Sequence, residues 1–326
     1  MRIYDIVFTP VLDPPDRIPP QRFDLRLRDV ESGTQLIVNL LDCRHGRVLL
    51  LTERARRKVI VCDPITGEQH DLSFPPKFEG TYVVNGAVLC AASERDHVHG
   101  SCHLSPFKVV LISYSGGVNR PIACAYSSKI GIWGDIISVD VPHRLVFAHI
   151  PGLLVGNALY WLLAIISDGI LKFDLDEQSL AVINGPTIAN DVYHASHWII
   201  QLEDGAVAMA ILSYPRFQMW QMDVSCHGVV TWMVLKTIDM HDIPGLPPQI
   251  ERNKATMKSI VGCVQDTNEF LLSVDDNVYM VQLKSMQSRK LCEYQHYSNY
   301  HCFKSFYPPG PAIVGGYNGA EMLHDA

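Results

Sequence analysis

The fold class is decided by residues 156–183, which read GNALYWLLAIISDGILKFDLDEQSLAVI. Three short apolar or alternating runs in this stretch are separated by Gly156-Asn157, by Asp168-Gly169 and by the acidic turn that follows Asp174. Gly-Asn and Asp-Gly pairs accept the positive φ angles that two-residue hairpin turns require. The stretch therefore predicts antiparallel strands, and no window of the sequence has a sustained apolar stripe at helical spacing.

The same pattern of a turn followed by apolar strands recurs along the chain. Five such units begin after Gly46, Gly86, Asn157, Gly205 and Asn268. Their spacing fits a propeller blade of ~40–50 residues, and the β-like ends at 3–27 and 303–313 would close the ring if they paired in a last blade. We predict a single all-β domain over residues 1–326, a β-propeller of six four-stranded antiparallel blades. Seven blades, an imperfectly closed ring and two stacked β-sandwiches are the structural alternatives.

The composition excludes several classes of protein. With 48% hydrophobic and 19% charged residues among 326, the chain is not disordered. A net charge of −7 argues against nucleic acid as a partner, because phosphate binding needs a clustered basic excess. The longest apolar run, Leu153 to Ile166, is too short to cross a bilayer. Nine cysteines without a Cys-x-x-Cys pair indicate free thiols. We predict an intracellular protein, cytoplasmic or nuclear, with neither a nucleic acid nor a membrane partner.

Several segments resemble a known protein family. They are Asp42 to Leu51, Cys62 to Gly67, Ser105 to Val110, Ala125 to Gly134, Leu154 to Trp161, Ile170 to Leu175 and Gln178 to Val182. Together they resemble the C-terminal F-box-associated β-propeller of plant F-box proteins, over most of the chain from about Phe8 onward. The resemblance implies a protein-binding module that presents protein substrates to a cullin–RING (SCF-type) ubiquitin ligase for ubiquitination.

Members of this family carry an F-box, a small helical module that docks on the ligase's linker protein, ahead of the propeller. The sequence begins at Met1-Arg2-Ile3-Tyr4, and no segment has the helical spacing that such a module needs. We therefore expect the F-box to be absent here, either because the sequence is truncated or because the protein has lost the module. A cullin–RING ligase is then an expected partner only when an F-box is supplied.

Two loops supply the candidate residues for binding a protein partner. Arg54, Arg56 and Arg57 form a basic cluster in a hairpin loop of the first blade, where they suit an acidic partner segment or simply a solvated loop. His97 and His99 lie in a loop with Cys102 and His103. Imidazole and thiolate suit zinc, but the spacing is not that of standard zinc sites, so we predict a polar loop without a metal.

No arrangement of residues predicts catalysis or a cofactor. The sequence contains no Gly-x-Ser-x-Gly, no His-Glu-x-x-His and no phosphate-cradling glycine loop. The acidic run from Asp174 to Glu177 occupies the same place as Asp63 in the first unit, and we interpret both as turns that an Asp side chain stabilises. We predict a non-enzymatic binding module that needs no cofactor. A propeller enzyme, either a hydrolase or a lyase, and a glycan-binding propeller are the functional alternatives.

Overall fold

The structure is a computed structural model, and it describes residues 6–12, 17–23, 25, 38–52, 57–92, 102, 105–114, 120–141, 146–147, 150–164, 169–187, 195–247, 258–264, 267, 269–293 and 300–303. The described residues form 22 strands in five antiparallel sheets, each a blade of a β-propeller. The prediction of an all-β propeller with four-stranded blades is thus confirmed in outline.

The strands follow the chain from the centre of the ring outward in each blade. Blade 1 contains β1 (Val38–Arg44), β2 (Arg47–Thr52), β3 (Lys58–Cys62) and β4 (Gln69–Ser73). Blade 2 contains β5 (Tyr82–Cys90), β6 (Phe107–Tyr114), β7 (Pro121–Ser127), and an outer strand in two pieces, β8 (Ile132–Trp133) and β9 (Ile137–Ser138). Blade 3 has an inner strand in two pieces, β10 (Val146–Phe147) and β11 (Leu153–Val155), followed by β12 (Ala158–Ala164), β13 (Gly169–Asp174) and β14 (Ser179–Asn184). Blade 4 contains β15 (Ser196–Gln201), β16 (Val207–Ser213), β17 (Arg216–Val224) and β18 (Val230–Asp239), and blade 5 contains β19 (Ser259–Val264), β20 (Glu269–Val274), β21 (Asn277–Gln282) and β22 (Ser288–Glu293).

Burial explains why the middle strands are the most apolar. All six residues of β2 are buried, because both faces of this strand pack against other parts of the molecule. The outer strand β4 instead exposes four of its five residues, and β14 alternates exposed and half-buried residues over its first four positions. A strand that is covered on both faces has a continuous apolar sequence, whereas a strand with one solvent-exposed face alternates apolar and polar residues. These two sequence patterns therefore report the position of a strand within its blade.

Apolar cores fill the spaces between neighbouring blades. The largest joins blades 4 and 5 around Phe217 and Phe270, whose rings lie 5.3 Å apart, centroid to centroid. Trp161 is fully buried in the core between blades 2 and 3. Each of the five tryptophans takes part in one of these cores, as large aromatic side chains between blades are expected to do: Trp133, Trp161, Trp198, Trp220 and Trp232.

The prediction of six blades is wrong, since the described residues form five. Within the described parts of the two chain ends there is no strand; the N-terminal part has only a 3-10 turn at Pro20–Arg22. Phe8 stacks on Phe23 with ring centroids 4.4 Å apart, and Phe303 packs edge-on against Phe23 at 5.1 Å. Phe303 also packs on the core of blade 1, while the adjacent Cys302 packs on blade 5. The ends thus fill the junction of the first and last blades with aromatic side chains instead of an added sheet. Residues 3–5, 13–16, 24, 26–27 and 304–313 of the predicted closing segments lie outside the described residues.

The sequence analysis placed a turn at Gly86, ahead of the second unit, and this prediction, which rests on the pair Asn85-Gly86, is also wrong. Both residues lie inside β5, the inner strand of blade 2, and both are buried. A Cβ atom at Gly86 would stand 3.0 Å from Cδ2 of Leu111 and 3.1 Å from Cδ2 of Leu49. Glycine is needed here for close packing with blade 1, and the backbone is not left-handed. An Asn-Gly pair in a sequence therefore does not show whether the glycine serves a turn or allows close packing inside a strand.

The helical elements whose full extent is described are 3-10 turns of three residues each, at Pro20–Arg22, Pro76–Phe78 and Met240–Asp242, and Cys102 also has 3-10 conformation. None of them has the length or apolar character to cross a membrane.

Candidate functional site

The loops of the propeller form two rims. Because each blade is an antiparallel meander, the loops after its second and fourth strands lie at one end, which we call the first rim. The loops after its first and third strands form the second rim. Ligand-binding residues of propellers are sought in these loops and along the inner strands, since rigid strands there present loops of variable sequence.

Arg57 lies on the first rim, in the loop between β2 and β3. Its Nη1 donates a hydrogen bond of 2.6 Å to the carbonyl oxygen of Thr81, and its guanidinium lies 5.6 Å from the ring centroid of Phe74. Thr81 and Phe74 belong to the segment that leads from blade 1 to blade 2. Arg57 therefore holds two loops of the first rim together. Arg54 and Arg56, the other basic candidates of this loop, lie outside the described residues.

The loop between β5 and β6 on the second rim is anchored by Arg47. The Arg47 guanidinium is buried; its Nη2 donates to the carbonyl oxygens of Cys102 and, at 2.6 Å, of Ser105. The same guanidinium lies 5.3 Å from the ring centroid of Phe107. His97 and His99 lie outside the described residues. Cys102 is fully buried, and the described residues contain no cluster of His, Cys, Asp or Glu with the geometry of a metal site.

Buried polar side chains on the inner strands connect the blades across the centre of the ring. Asp42 of β1 accepts a 3.0 Å hydrogen bond from the backbone N–H of Val88 in β5. Arg44 lies 3.5 Å from the same carboxylate oxygen and donates a 2.7 Å hydrogen bond to the carbonyl oxygen of Gly152 in blade 3. Burial raises the pKa of Asp42, and the nearby Arg44 opposes that rise. This ion pair thus bonds blade 1 to both blades 2 and 3.

Two further hydrogen bonds of the same kind join other blades. The side chain of Asn85 donates to the carbonyl oxygen of Ile150 at 2.7 Å, which connects blade 2 to blade 3. The Ser196 hydroxyl accepts a 3.0 Å hydrogen bond from the backbone N–H of Ile260, which connects blade 4 to blade 5. Buried polar groups normally need such partners, because an unsatisfied one costs free energy. These inner-strand residues therefore hold the ring together.

A second polar cluster lies on the first rim, between blades 4 and 5. The hydroxyl of Tyr214 and Nε2 of His241 form a hydrogen bond of 3.1 Å. Lys258 lies beneath this pair, with its ammonium 5.3 Å from the ring centroid of Tyr214 and 3.3 Å from a carboxylate oxygen of Asp275. Only 5% of the Lys258 side chain is exposed. The sequence analysis missed this cluster because its members come from three separate connections between strands, and no local motif unites them.

The two Asp turns predicted from the sequence are confirmed on the second rim. Asp63 accepts hydrogen bonds from the backbone N–H groups of Ile65 at 2.8 Å and Thr66 at 3.2 Å. Asp174 accepts them from Asp176 and Glu177, both at 3.1 Å. These bonds lower the pKa of Asp174, because they favour its ionised form. The acidic run from Asp174 is therefore a turn.

His301 and Cys302 lie at the junction of the first and last blades. Burial lowers the pKa of His301 to about 4 and raises the pKa of Cys302 to about 12. At neutral pH the imidazole is therefore neutral and the thiol is protonated. A protonated thiol is a poor nucleophile, so this pair does not have the electrostatics of a catalytic cysteine and its base.

Comparison with known proteins identifies the family. The family described as "F-box protein AT5G49610-like, beta-propeller" matches residues 39–309, from the first strand of blade 1 to beyond the last strand of blade 5. The chain belongs to this family of F-box protein propellers. No curated protein matches the chain significantly.

Solved structures with a similar fold are varied propellers. The Dos1 propeller has a TM-score of 0.43 and 12% identity, over 82% of this chain and 64% of that one. The WD40 domain of SCAP from fission yeast has a TM-score of 0.41 and 11% identity, over 83% and 59% of the two chains. A prolyl endopeptidase has a TM-score of 0.40 and 12% identity, and this chain covers 35% of its length while 78% of this chain is matched. Likenesses of this degree leave the function open.

Proposed function

We propose that this chain is a non-enzymatic protein-binding module, the substrate-recognition propeller of an adaptor for a cullin–RING (SCF-type) ubiquitin ligase. The observation that carries this proposal is membership of the F-box protein propeller family over residues 39–309. The partner is then a protein substrate inside the cell, and the binding surface consists of propeller loops.

The inner strands support a binding role over a catalytic one. Asp42, Arg44, Asn85 and Ser196 are engaged in hydrogen bonds between blades, as described above. Their polar atoms stabilise the ring, whereas a catalytic centre needs polar atoms directed at a substrate. A rigid ring of this kind presents its rim loops with little loss of conformational entropy on binding.

The first rim between blades 1 and 2 is the candidate contact surface. Tyr82 exposes 66% of its surface there, next to the loop that Arg57 fixes to Thr81. An exposed tyrosine on an ordered backbone is typical of protein interfaces, because its ring contributes a large contact area with few rotatable bonds. A Tyr82→Ala exchange removes this contact area without touching a core.

The proposal is tested by capturing partners of the tagged chain from cells, with and without an inhibitor of cullin neddylation. A substrate of the proposed ligase accumulates when cullins are inactive, binds the purified chain directly, and binds the Tyr82→Ala variant more weakly. The matched control is Ile130→Ala, which removes an equally exposed apolar side chain, 67% exposed, from the opposite rim. Captured proteins that are indifferent to cullin inhibition and do not bind the purified chain would contradict the proposal. Turnover of a hydrolase or lyase substrate, or selective glycan binding, by the purified chain would favour the alternative functions.

A further inference from the structure

The outer strand of blade 4, β18, differs from the outer strands of the other blades. Exposed sheet edges are normally short or carry charges, which prevents other strands from adding to them. β4 has five residues and includes Asp71, β8 and β9 have two residues each, and β22 carries Arg289 and Lys290. β14 has six residues without a charge, but none of its large apolar side chains is exposed. β18 has ten residues and begins Val-Thr-Trp-Met-Val-Leu, with its first charged residue at Lys236.

Exposed apolar side chains are concentrated along this strand. Among the described residues, eleven large hydrophobic side chains are exposed, and five of them lie on β18 or in the hairpin that leads into it. We call these five the β18 patch: Val224 (52% exposed), Val229 (59%), Met233 (59%), Val234 (43%) and Leu235 (42%). A grouped apolar surface of this kind on a water-exposed edge indicates an interaction site.

A β-bulge limits how much of the edge is regular. Trp220 of β17 pairs with Val234, and the preceding Met219 pairs with Lys236, so Leu235 has no partner in the ladder. Bulges bend a strand and interrupt the regular spacing of its hydrogen-bonding groups. The regular edge therefore runs from Val230 to Val234. Along it, alternate residues direct their N–H and C=O groups away from β17, and no other strand of the described chain pairs with them.

The size of this edge indicates what it binds. Five side chains of this kind, each about half exposed, offer roughly 300–500 Å² of apolar surface, divided between the two faces of the strand. A stable dimer buries about 800 Å² on each partner. The β18 patch is therefore too small to hold a second copy of the chain. It matches one extended peptide segment of about five residues, roughly 17 Å long.

We propose that β18 binds an extended, uncharged peptide segment of a partner protein, which adds as a fifth strand along Val230 to Val234. Backbone hydrogen bonds to the free edge hold the segment, and its alternate apolar side chains cover Met233 on the face of β18 that also carries Thr231. Proline at the centre of the segment is excluded, because it has no backbone N–H to donate to the carbonyl oxygens of the β18 edge. This inference rests on the proposed protein-binding function and names the surface and the class of partner segment.

The test selects peptides from a phage-displayed library of random ten-residue sequences on the purified full chain. Met233→Lys and Thr231→Lys each place a charge on the exposed edge at a residue that is already exposed, which blocks strand addition. Ile130→Lys is the matched control, since it adds the same charge to an exposed apolar position in blade 2. The melting temperature of each variant shows whether it is folded.

Selected peptides are expected to alternate apolar residues without central proline. They should bind at least tenfold more weakly to both edge variants than to the wild type and the control, and slow amide exchange within residues 230–234. The inference would be overturned by peptides that bind the wild type, both edge variants and the Ile130→Lys control equally. It would also be overturned if the selection enriched no peptide at all. A concentration-dependent dimer that Met233→Lys dissociates would overturn it in favour of a second copy. If selection fails while capture yields partners sensitive to cullin inhibition, only the edge assignment fails and the proposed function stands.

Discussion

Gly86 determines how closely the first two blades approach each other. A Cβ methyl group at Gly86 would meet the Leu49 side chain of blade 1, the Leu111 side chain of its own blade and the carbonyl oxygen of Val110, all at 3.0–3.1 Å. These neighbours are fully buried in close-packed cores, where small displacements are opposed on every side. A single missing Cβ therefore permits the contact between β5 and β2.

We predict that Gly86→Ala lowers the free energy of unfolding by about 1–3 kcal/mol, as overpacking of a core does. The matched control is Gly134→Ala, where the nearest atom to a new Cβ is the carbonyl oxygen of Ala125 at an ordinary 3.4 Å. That variant should change stability by less than about 0.5 kcal/mol. Urea denaturation monitored by tryptophan fluorescence measures both values. Equal stability of the two variants would show that the blades move apart at little cost.

The cysteines are expected to differ strongly in reactivity. Burial raises the pKa of Cys62 to about 12 and that of Cys124 to about 11, so both thiols are protonated at neutral pH. Cys226 is exposed in the turn between β17 and β18. Because the thiolate is the reactive form, Cys226 should react first with a thiol reagent at pH 7.5, and Cys226→Ser should remove that fast phase. All nine cysteines should react in denaturant without reductant. A fast phase that persists in Cys226→Ser would contradict this assignment.

At the scale of elements, local chemistry predicted turns well and contacts between distant loops poorly. Asp63 and Asp174 were recognisable because the hydrogen bonds they accept come from residues two and three positions ahead in the chain. Asn85 could not be interpreted in this way, since its partner, Ile150, lies 65 residues away. The candidates at Arg54, Arg56, His97 and His99 stay predictions, and Arg57 has a structural contact that its sequence neighbourhood did not indicate. The charge and spacing of residues in the sequence predict hydrogen bonds between near neighbours in the chain. Contacts between blades depend on how the ring closes, which the local sequence does not indicate.

The loop between β5 and β6 depends on a charged residue of another blade. Arg47 is buried at 4% exposure and bonds the carbonyl oxygens of Cys102 and Ser105. We predict that Arg47→Met lowers the free energy of unfolding by about 1.5–3 kcal/mol, the usual loss for hydrogen bonds to a charged group. Limited proteolysis should also cut faster between Ala92 and Ser105. Arg216→Met, at an exposed position, is the control and should leave both measurements unchanged. Proteolysis at the wild-type rate would show that other contacts hold this loop.

At the scale of the whole molecule, the number of blades depends on how the chain ends are used. Phe8, Phe23 and Phe303 have the apolar character of strand residues, which favoured a sixth blade in the sequence analysis. Prolines such as Pro10 and Pro19 lie among them and cannot donate to a central ladder. The three rings pack on one another at the junction of blades 1 and 5, so five sheets suffice to form the ring. Apolar composition indicated that side chains of these ends pack on the rest of the molecule, but it could not show whether the ends form strands.

The last prediction concerns the link to the ubiquitin ligase. Docking on the linker protein of a cullin–RING ligase requires an amphipathic helical surface, and the helical elements whose full extent the structure describes are 3-10 turns of three residues. We expect the 326-residue chain to fold without binding the linker protein. Fusion of a generic F-box ahead of Met1 should produce saturable linker binding.

The fusion should bind the same partners as the unfused chain, because the proposed contacts lie on Tyr82 and the β18 patch, whose residues the fusion leaves unchanged. Pull-down with the purified linker protein, followed by mass spectrometry of captured partners, measures both effects. A fusion with an F-box whose linker-contacting residues are replaced is the control. Saturable binding of the linker protein to the unfused chain would contradict the prediction. The propeller itself would then contact the ligase through its β-sheet surface, since strand edges and rim loops are what its five blades present to solvent.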